Sequence, residues 1–241
     1  MNLPEKITAL LNSNPVDEDG EPYDSKLLPG MTPSEISDLE NKLGFELPNQ
    51  TKELLLFAKG IEEGPMELTE FIGSPTEYLY IIDPKKTYLQ VSTDGFGNIW
   101  FYDFDSSSSD LGPIYYYQHE GPMVFYQSKN IIEFMEESLR FMTPPYESLI
   151  DDVHEFRIKP INELNKDLIP AVQARNHSDK IIREYAAGFS EQVLFYDFRN
   201  AKAGDGFDMA RMKGVDRHPD FPIYVLEPVP TFMSKIKSLF K

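Results

Sequence analysis

An antiparallel β-sheet covered by helices, followed by an α/β extension, is the fold this sequence predicts. Three stretches predict it. Tyr88 to His119 (YLQVSTDGFGNIWFYDFDSSSSDLGPIYYYQH) is dense in aromatic and β-branched residues broken by turn chemistry, the composition of paired strands. Thr32 to Gly60 carries the signals of two helices with a stop between them. Lys129 to Phe141 places Ile131, Ile132, Met135 and Leu139 on or near one helical stripe.

In chain order, residues 4–12 predict a short helix through Ile7, Leu10 and Leu11. Asn14 to Gly30 reads as loop, punctuated by three prolines and two glycines. Thr32-Pro33-Ser34-Glu35 then starts a helix: Thr32 caps, Pro33 suits the first helical position, and Glu35 reaches back in a capping box. Ile36, Leu39 and Leu43 form its stripe, and Gly44 ends it. A second helix begins near Pro48 and runs to Gly60, burying Leu54, Leu55 and Ala58. Phe71-Ile72 and Tyr78 to Ile82 are short strand candidates, separated by Gly73-Ser74-Pro75.

In the central stretch Leu89 and Val91 lie on one strand, and Asn98 to Phe104 on the next. Gly95 and Gly97 between them can take the positive φ of a tight reversal. After the polar loop Asp105 to Gly112, Ile114 to Gln118 completes a three-stranded antiparallel meander. Ile99, Phe101 and Asp103 point one way, and Trp100, Tyr102 and Phe104 the other. Both faces are thus largely apolar and call for cover. Met123 to Tyr126 is a further strand, and Thr143-Pro144-Pro145 ends the helix after it. Beyond that boundary the pattern predicts helices at Tyr146–Ile158, Ile161–Ala174 and Asp179–Ala187. Strands follow at Gln192–Phe198 and Pro222–Leu226, and an amphipathic helix at Thr231–Lys241.

The chain has 241 residues, 41% of them hydrophobic, which suits a globular protein with a sizeable core. Cysteine is absent, which removes disulfides, thiolate metal sites and a thiol nucleophile and fits a reducing compartment. Neither a signal peptide nor a membrane span is legible, so a cytoplasmic location is expected. The net charge of −17 is unevenly spread: residues 1–145 hold 9 Lys+Arg against 25 Asp+Glu, and residues 146–241 hold 14 against 15. The field of the first part repels phosphate backbones, arguing against nucleic-acid binding, and attracts cationic partners.

Leu39 to Gly60 (LENKLGFELPNQTKELLLFAKG), Asp94 to Phe104 (DGFGNIWFYDF), Gly112 to Gly121 (GPIYYYQHEG) and the helix Ile131–Leu139 come in an order that resembles the SUKH superfamily. That superfamily contains the fungal regulator of cell-wall glucan synthesis and many bacterial toxin-immunity proteins. The resemblance covers residues 31–142. It implies an α+β fold with helices packed around a mainly antiparallel sheet, and divides the chain into residues 1–30, 31–142 and a C-terminal extension 143–241. It also implies a non-enzymatic binding protein. The leading expectation is an immunity protein that neutralises a cationic toxin, such as a nuclease; the alternative is a regulatory scaffold of the cell-wall-synthesis type.

No constellation argues for catalysis. His119, His154, His177 and His218 are scattered without metal-ligand spacing. Gly95-Phe96-Gly97 is not a phosphate loop, because it joins strand to strand and lacks the following Lys and Ser/Thr. Asp103, Asp105 and Asp110 around four serines lack the frame of a calcium loop. Neither metal nor organic cofactor is expected. The residues expected to meet a protein partner are the acids Glu62, Glu63, Asp103, Asp105 and Asp110, with Trp100 and Tyr116 as aromatic anchors wherever they face outward.

Overall fold

A computed structural model describes residues 1–76, 88–103, 110–210 and 212–229. The strand candidate Tyr78–Ile82, the serine loop with Asp105, and the helix expected at Thr231–Lys241 lie outside these residues. The described helices are α1 (Leu3–Asn12), α2 (Pro33–Leu43), α3 (Asn49–Phe57), α4 (Ile131–Phe141), α5 (Leu149–His154), α6 (Ala171–Ala174) and α7 (Lys180–Ala186). The strands are β1 (Lys26–Pro29), β2 (Ala58–Glu62), β3 (Leu68–Thr76), β4 (Tyr88–Thr93), β5 (Ile99–Tyr102), β6 (Ile114–Gln118) and β7 (Met123–Ser128). They continue with β8 (Ile169–Pro170), β9 (Leu194–Asp197), β10 (Gly206–Asp208), β11 (Met212–Arg217) and β12 (Ile223–Pro228).

Strands β1 to β7 follow one another across an antiparallel sheet, and β10 adds its far edge, giving eight strands. The expected meander is its centre: Phe101 pairs with Gln90 on one side and Tyr115 on the other. A second sheet has the order β11-β12-β9-β8. The fold is α+β with a mainly antiparallel sheet, as expected.

The period-2 alternation of the strands explains the layers. Trp100, Tyr102, Ile114, Tyr116 and Phe125 point from the large sheet into a core shared with α1 to α5. Ile99, Phe101, Tyr115, Tyr117, Val124 and, on β10, Phe207 point the opposite way, against Tyr196, Phe198, Tyr224 and Leu226. The outer face of the second sheet, with Phe195, Ile223 and Val225, is in turn covered by α6 and α7 through Ala171, Ala174, Ile182 and Ala186. Helices, sheet, sheet and helices thus form four layers. The bonding crosses the expected segment limits: β1 pairs with β2, and β10 with β7.

Several elements differ from the sequence reading. Within the expected loop 14–30, β1 forms an edge strand, where Pro29 is tolerated because an edge needs no donor on its open side. The helix from Pro48 stops at Phe57 and the chain turns directly into β2, so Ala58 to Gly60 are strand. Gly73-Ser74-Pro75 does not separate strands. β3 runs through it with a register shift between Thr69 and Ser74, and Gly73 (φ +80°) passes so close to Gln90 that a Cβ would lie 2.7 Å from its carbonyl oxygen. The helix expected at Ile161–Ala174 breaks into a 3₁₀ turn (Ile161–Asp167), β8 and α6. Pro170 has no N–H to donate there, and the N–H of Ala171 goes to the Val193 carbonyl across the sheet (3.1 Å). Strands β10 and β11 lie between the expected strands Gln192–Phe198 and Pro222–Leu226, where no strand was expected. No described helix is long and apolar enough to cross a membrane.

Candidate interaction surface

In an antiparallel meander alternate turns lie at the same end of the sheet. The β2–β3 turn, the β4–β5 turn and the β6–β7 turn therefore share one end, and the β5–β6 connection lies at the other. The shared end is built around Asp94. Its Oδ1 accepts the N–H of Phe96 (2.8 Å) and of Asn98 (3.2 Å), and its Oδ2 accepts from Asn98 Nδ2 (2.5 Å). Burial alone would raise this carboxyl's pKa, but hydrogen bonds from Asn98, the Phe96 N–H and His154 outweigh it and hold the group below the usual carboxylate range.

The chain of contacts continues on both sides. Asn98 Oδ1 accepts the N–H of His119 (3.0 Å), tying in the β6–β7 turn. Asp94 Oδ2 also meets His154 Nε2 (3.2 Å), whose Nδ1 lies 3.0 Å from Glu155 Oε1. The His154 ring stacks on Trp100 (centroids 6.3 Å apart, planes 21° apart). Gly95 (φ +77°) and Gly97 (φ +97°) flank Phe96 in the left-handed region, as the turn reading expected. The result is a braced turn that holds Phe96 in solvent, 82% exposed.

Acids gather at this end. Glu62 and Glu63 are exposed on the β2–β3 turn, and Glu67 on the same turn would contact a Cβ built on Gly95 at 3.2 Å. Glu120 is exposed on the β6–β7 turn. Lys26 offsets part of this charge, at 3.0 Å from Asp24 and 3.6 Å from Glu63.

The other expected contact residues are not brought together with these. Asp110 is exposed at the opposite end of the sheet, and Asp105 lies outside the described residues. Asp103 is not a rim charge. Its side chain is 2% exposed between the two sheets, with Oδ2 2.7 Å from Arg217 Nε and accepting from the Tyr224 hydroxyl. The reason is the alternation itself: Asp103 follows Ile99 and Phe101 onto the face that the second sheet covers. Trp100 (2%) and Tyr116 (0%) are core, not outward anchors. Trp100 donates its indole N–H to Gln127 Oε1 (3.1 Å) and packs on Tyr116 and Phe134. Among the described residues the exposed aromatic is Phe96, which sequence reasoning passed over as turn filler. Its signal was legible: a large apolar residue between two glycines has no strand neighbour to cover it.

Among the described residues no cluster of three or more His, Asp or Glu side chains could hold a metal ion. Residues 30–137 match the model of the SMI1 / KNR4 family (SUKH-1). No curated protein and no solved structure matches the chain.

Proposed function

We propose, from the premise that residues 30–137 belong to the SMI1/KNR4 family of the SUKH superfamily, that this protein acts in the cytoplasm as an immunity protein, masking a cationic toxin domain by direct binding rather than by catalysis. The family supports an immunity or regulatory role carried out through protein partners. The observation that carries the finer reading is that exposed Glu62, Glu63, Glu67 and Glu120 share one end of the large sheet with the projecting Phe96. Charges on such a rim speed and orient the encounter with a basic surface, and a desolvated aromatic at its centre would supply the slow dissociation. A nuclease toxin carries a basic surface for its own substrate, so the same charge that excludes nucleic acid from this protein suits it to that enzyme.

The test is co-expression with the toxin domain encoded beside its gene, scored by growth. Rescue by the wild type is expected, with association that slows as salt rises. Glu62→Gln with Glu63→Gln and Glu67→Gln should lower the association rate and flatten its salt dependence, while Asp110→Asn at the opposite end leaves both unchanged. Rescue with salt-independent association, equal in all variants, would remove the electrostatic part of the reading. Absence of rescue, with stable association to several cytoplasmic proteins, would favour the regulatory scaffold instead.

A further inference from the structure

The end of the sheet opposite the acidic turns holds a pocket of about 350 Å³, within the range of small-ligand sites. Two helices begin at it. α3 starts after Pro48 and α4 after Asn130, and Pro48, Thr51, Lys129, Asn130 and Ile131 all line the cavity. The N-terminus of α4 is capped, since Asn130 Oδ1 accepts from the Glu133 N–H (3.0 Å). That of α3 is not: Pro48 offers no side-chain acceptor, so the N–H groups of Asn49, Gln50 and Thr51 have no partner among the described residues.

The second observation is independent of the helix ends. Thr51 is only 5% exposed, lines the pocket, and its hydroxyl makes no hydrogen bond among the described residues. On a side chain this buried, the hydroxyl is open only to the cavity, where water or a ligand must satisfy it. Lys129 adds a cation at the mouth, with no carboxylate paired to it among the described residues. In a chain of net charge −17, this corner offers an uncapped helix N-terminus, that of α3, and an ammonium. The walls beyond are apolar, formed by Tyr102, Leu111 and Ile131.

We propose that this pocket binds a small monocarboxylate, its anionic end against the first N–H groups of α3, the Thr51 hydroxyl and Lys129, its apolar body against Tyr102, Leu111 and Ile131. Exposed Asp110 on the rim selects the charge. It tolerates a single negative charge held by the α3 N-terminus and Lys129, but repels a dianion such as the doubly charged form of phosphate. The site is separate from the acidic end and stands whether or not that end docks a toxin.

The experiment is titration of the full chain with acetate, butyrate, hexanoate and inorganic phosphate at constant ionic strength, read by backbone amide NMR. Hexanoate should give saturable shifts at Asn49, Gln50 and Thr51 in the millimolar range. The carboxylates should tighten along the series by up to about fourfold per buried methylene. Thr51→Val, which keeps the shape and removes the hydroxyl, should weaken hexanoate roughly tenfold. Lys129→Gln, an exposed change that cannot unfold the core, should weaken it severalfold, whereas Lys26→Gln with the same change in net charge should not. The proposal is overturned by absence of saturable shifts at tens of millimolar hexanoate. Phosphate binding as tightly as hexanoate, or unchanged affinity in both pocket variants, would overturn it equally.

Discussion

Gly97 is held at φ +97°, and a Cβ built on it would lie 3.1 Å from the His119 ring; Gly95, at φ +77°, faces only the movable end of Glu67. Valine at either position strains the backbone and should cost roughly 1 kcal/mol or more, with Gly97→Val the worse because it also displaces His119. Thermal melts of the two variants check both the cost and its order. Asp94 beside them sets a pH dependence. Its folded carboxyl lies below its unfolded value, so its stabilising contribution is complete above that value, about 4, and fades as pH falls through the folded one. Asp94→Asn should therefore flatten the acid limb of stability against pH; an unaltered limb would mean other carboxylates carry it. Asp103→Asn belongs with stability rather than with binding. Removing one member of a buried ion pair should cost roughly 3–5 kcal/mol, read as a lowered denaturation midpoint.

At the scale of elements, α2 shows how much is settled locally. Thr32 Oγ1 accepts the Glu35 N–H (3.3 Å), Glu35 Oε2 accepts the Thr32 N–H (2.7 Å), and Gly44 closes the helix at φ +85°. Every one of these groups is within a few residues of its partner, which is why the sequence alone placed the helix. Thr32→Ala should cost about 1 kcal/mol, and Glu35→Gln less, since the amide oxygen can still accept; chemical denaturation of the two variants ranks them. β1 and β11 are the opposite case. Lys26–Pro29 has four residues and a single partner strand, and Met212–Arg217 is half-buried along most of its length. Neither carries an apolar alternation strong enough to read, and both exist because a neighbour offers an open ladder of hydrogen-bonding groups.

At the scale of the whole molecule, the two sheets cover each other. The face carrying Ile99, Phe101, Tyr115, Tyr117 and Phe207 is covered by Tyr196, Phe198 and Tyr224. A chain ending at Met142 would expose that face, with the open edge of β7 beside it, and should aggregate on expression. In the full chain Phe207→Ala, which empties a site packed against Tyr196, Phe198 and Tyr224 at 5.5–5.7 Å between ring centroids, should cost roughly 3–5 kcal/mol. A soluble, cooperatively melting fragment 1–142 would show that the second sheet is dispensable.

The central strands, the capped helix α2, the reversal at Gly95–Gly97 and the apolar character of both sheet faces were legible in the residues, as was the concentration of acid before residue 145. All of these depend on spacing of two to four residues or on composition. What lay out of reach was what would cover each face and which turns would share an end. Asp103 reads from its neighbours as one more loop acid, yet it is buried against Arg217 and Tyr224, more than a hundred residues away in sequence. Trp100 and Tyr116 alternate correctly but face helices rather than solvent. The Thr51 pocket unites four separated segments: the start of α3, Tyr102 at the end of β5, the chain at Asp110–Pro113 and the start of α4. Local periodicity states that a side chain points to a given face; only the assembled layers decide whether that face meets water, a charge or another sheet.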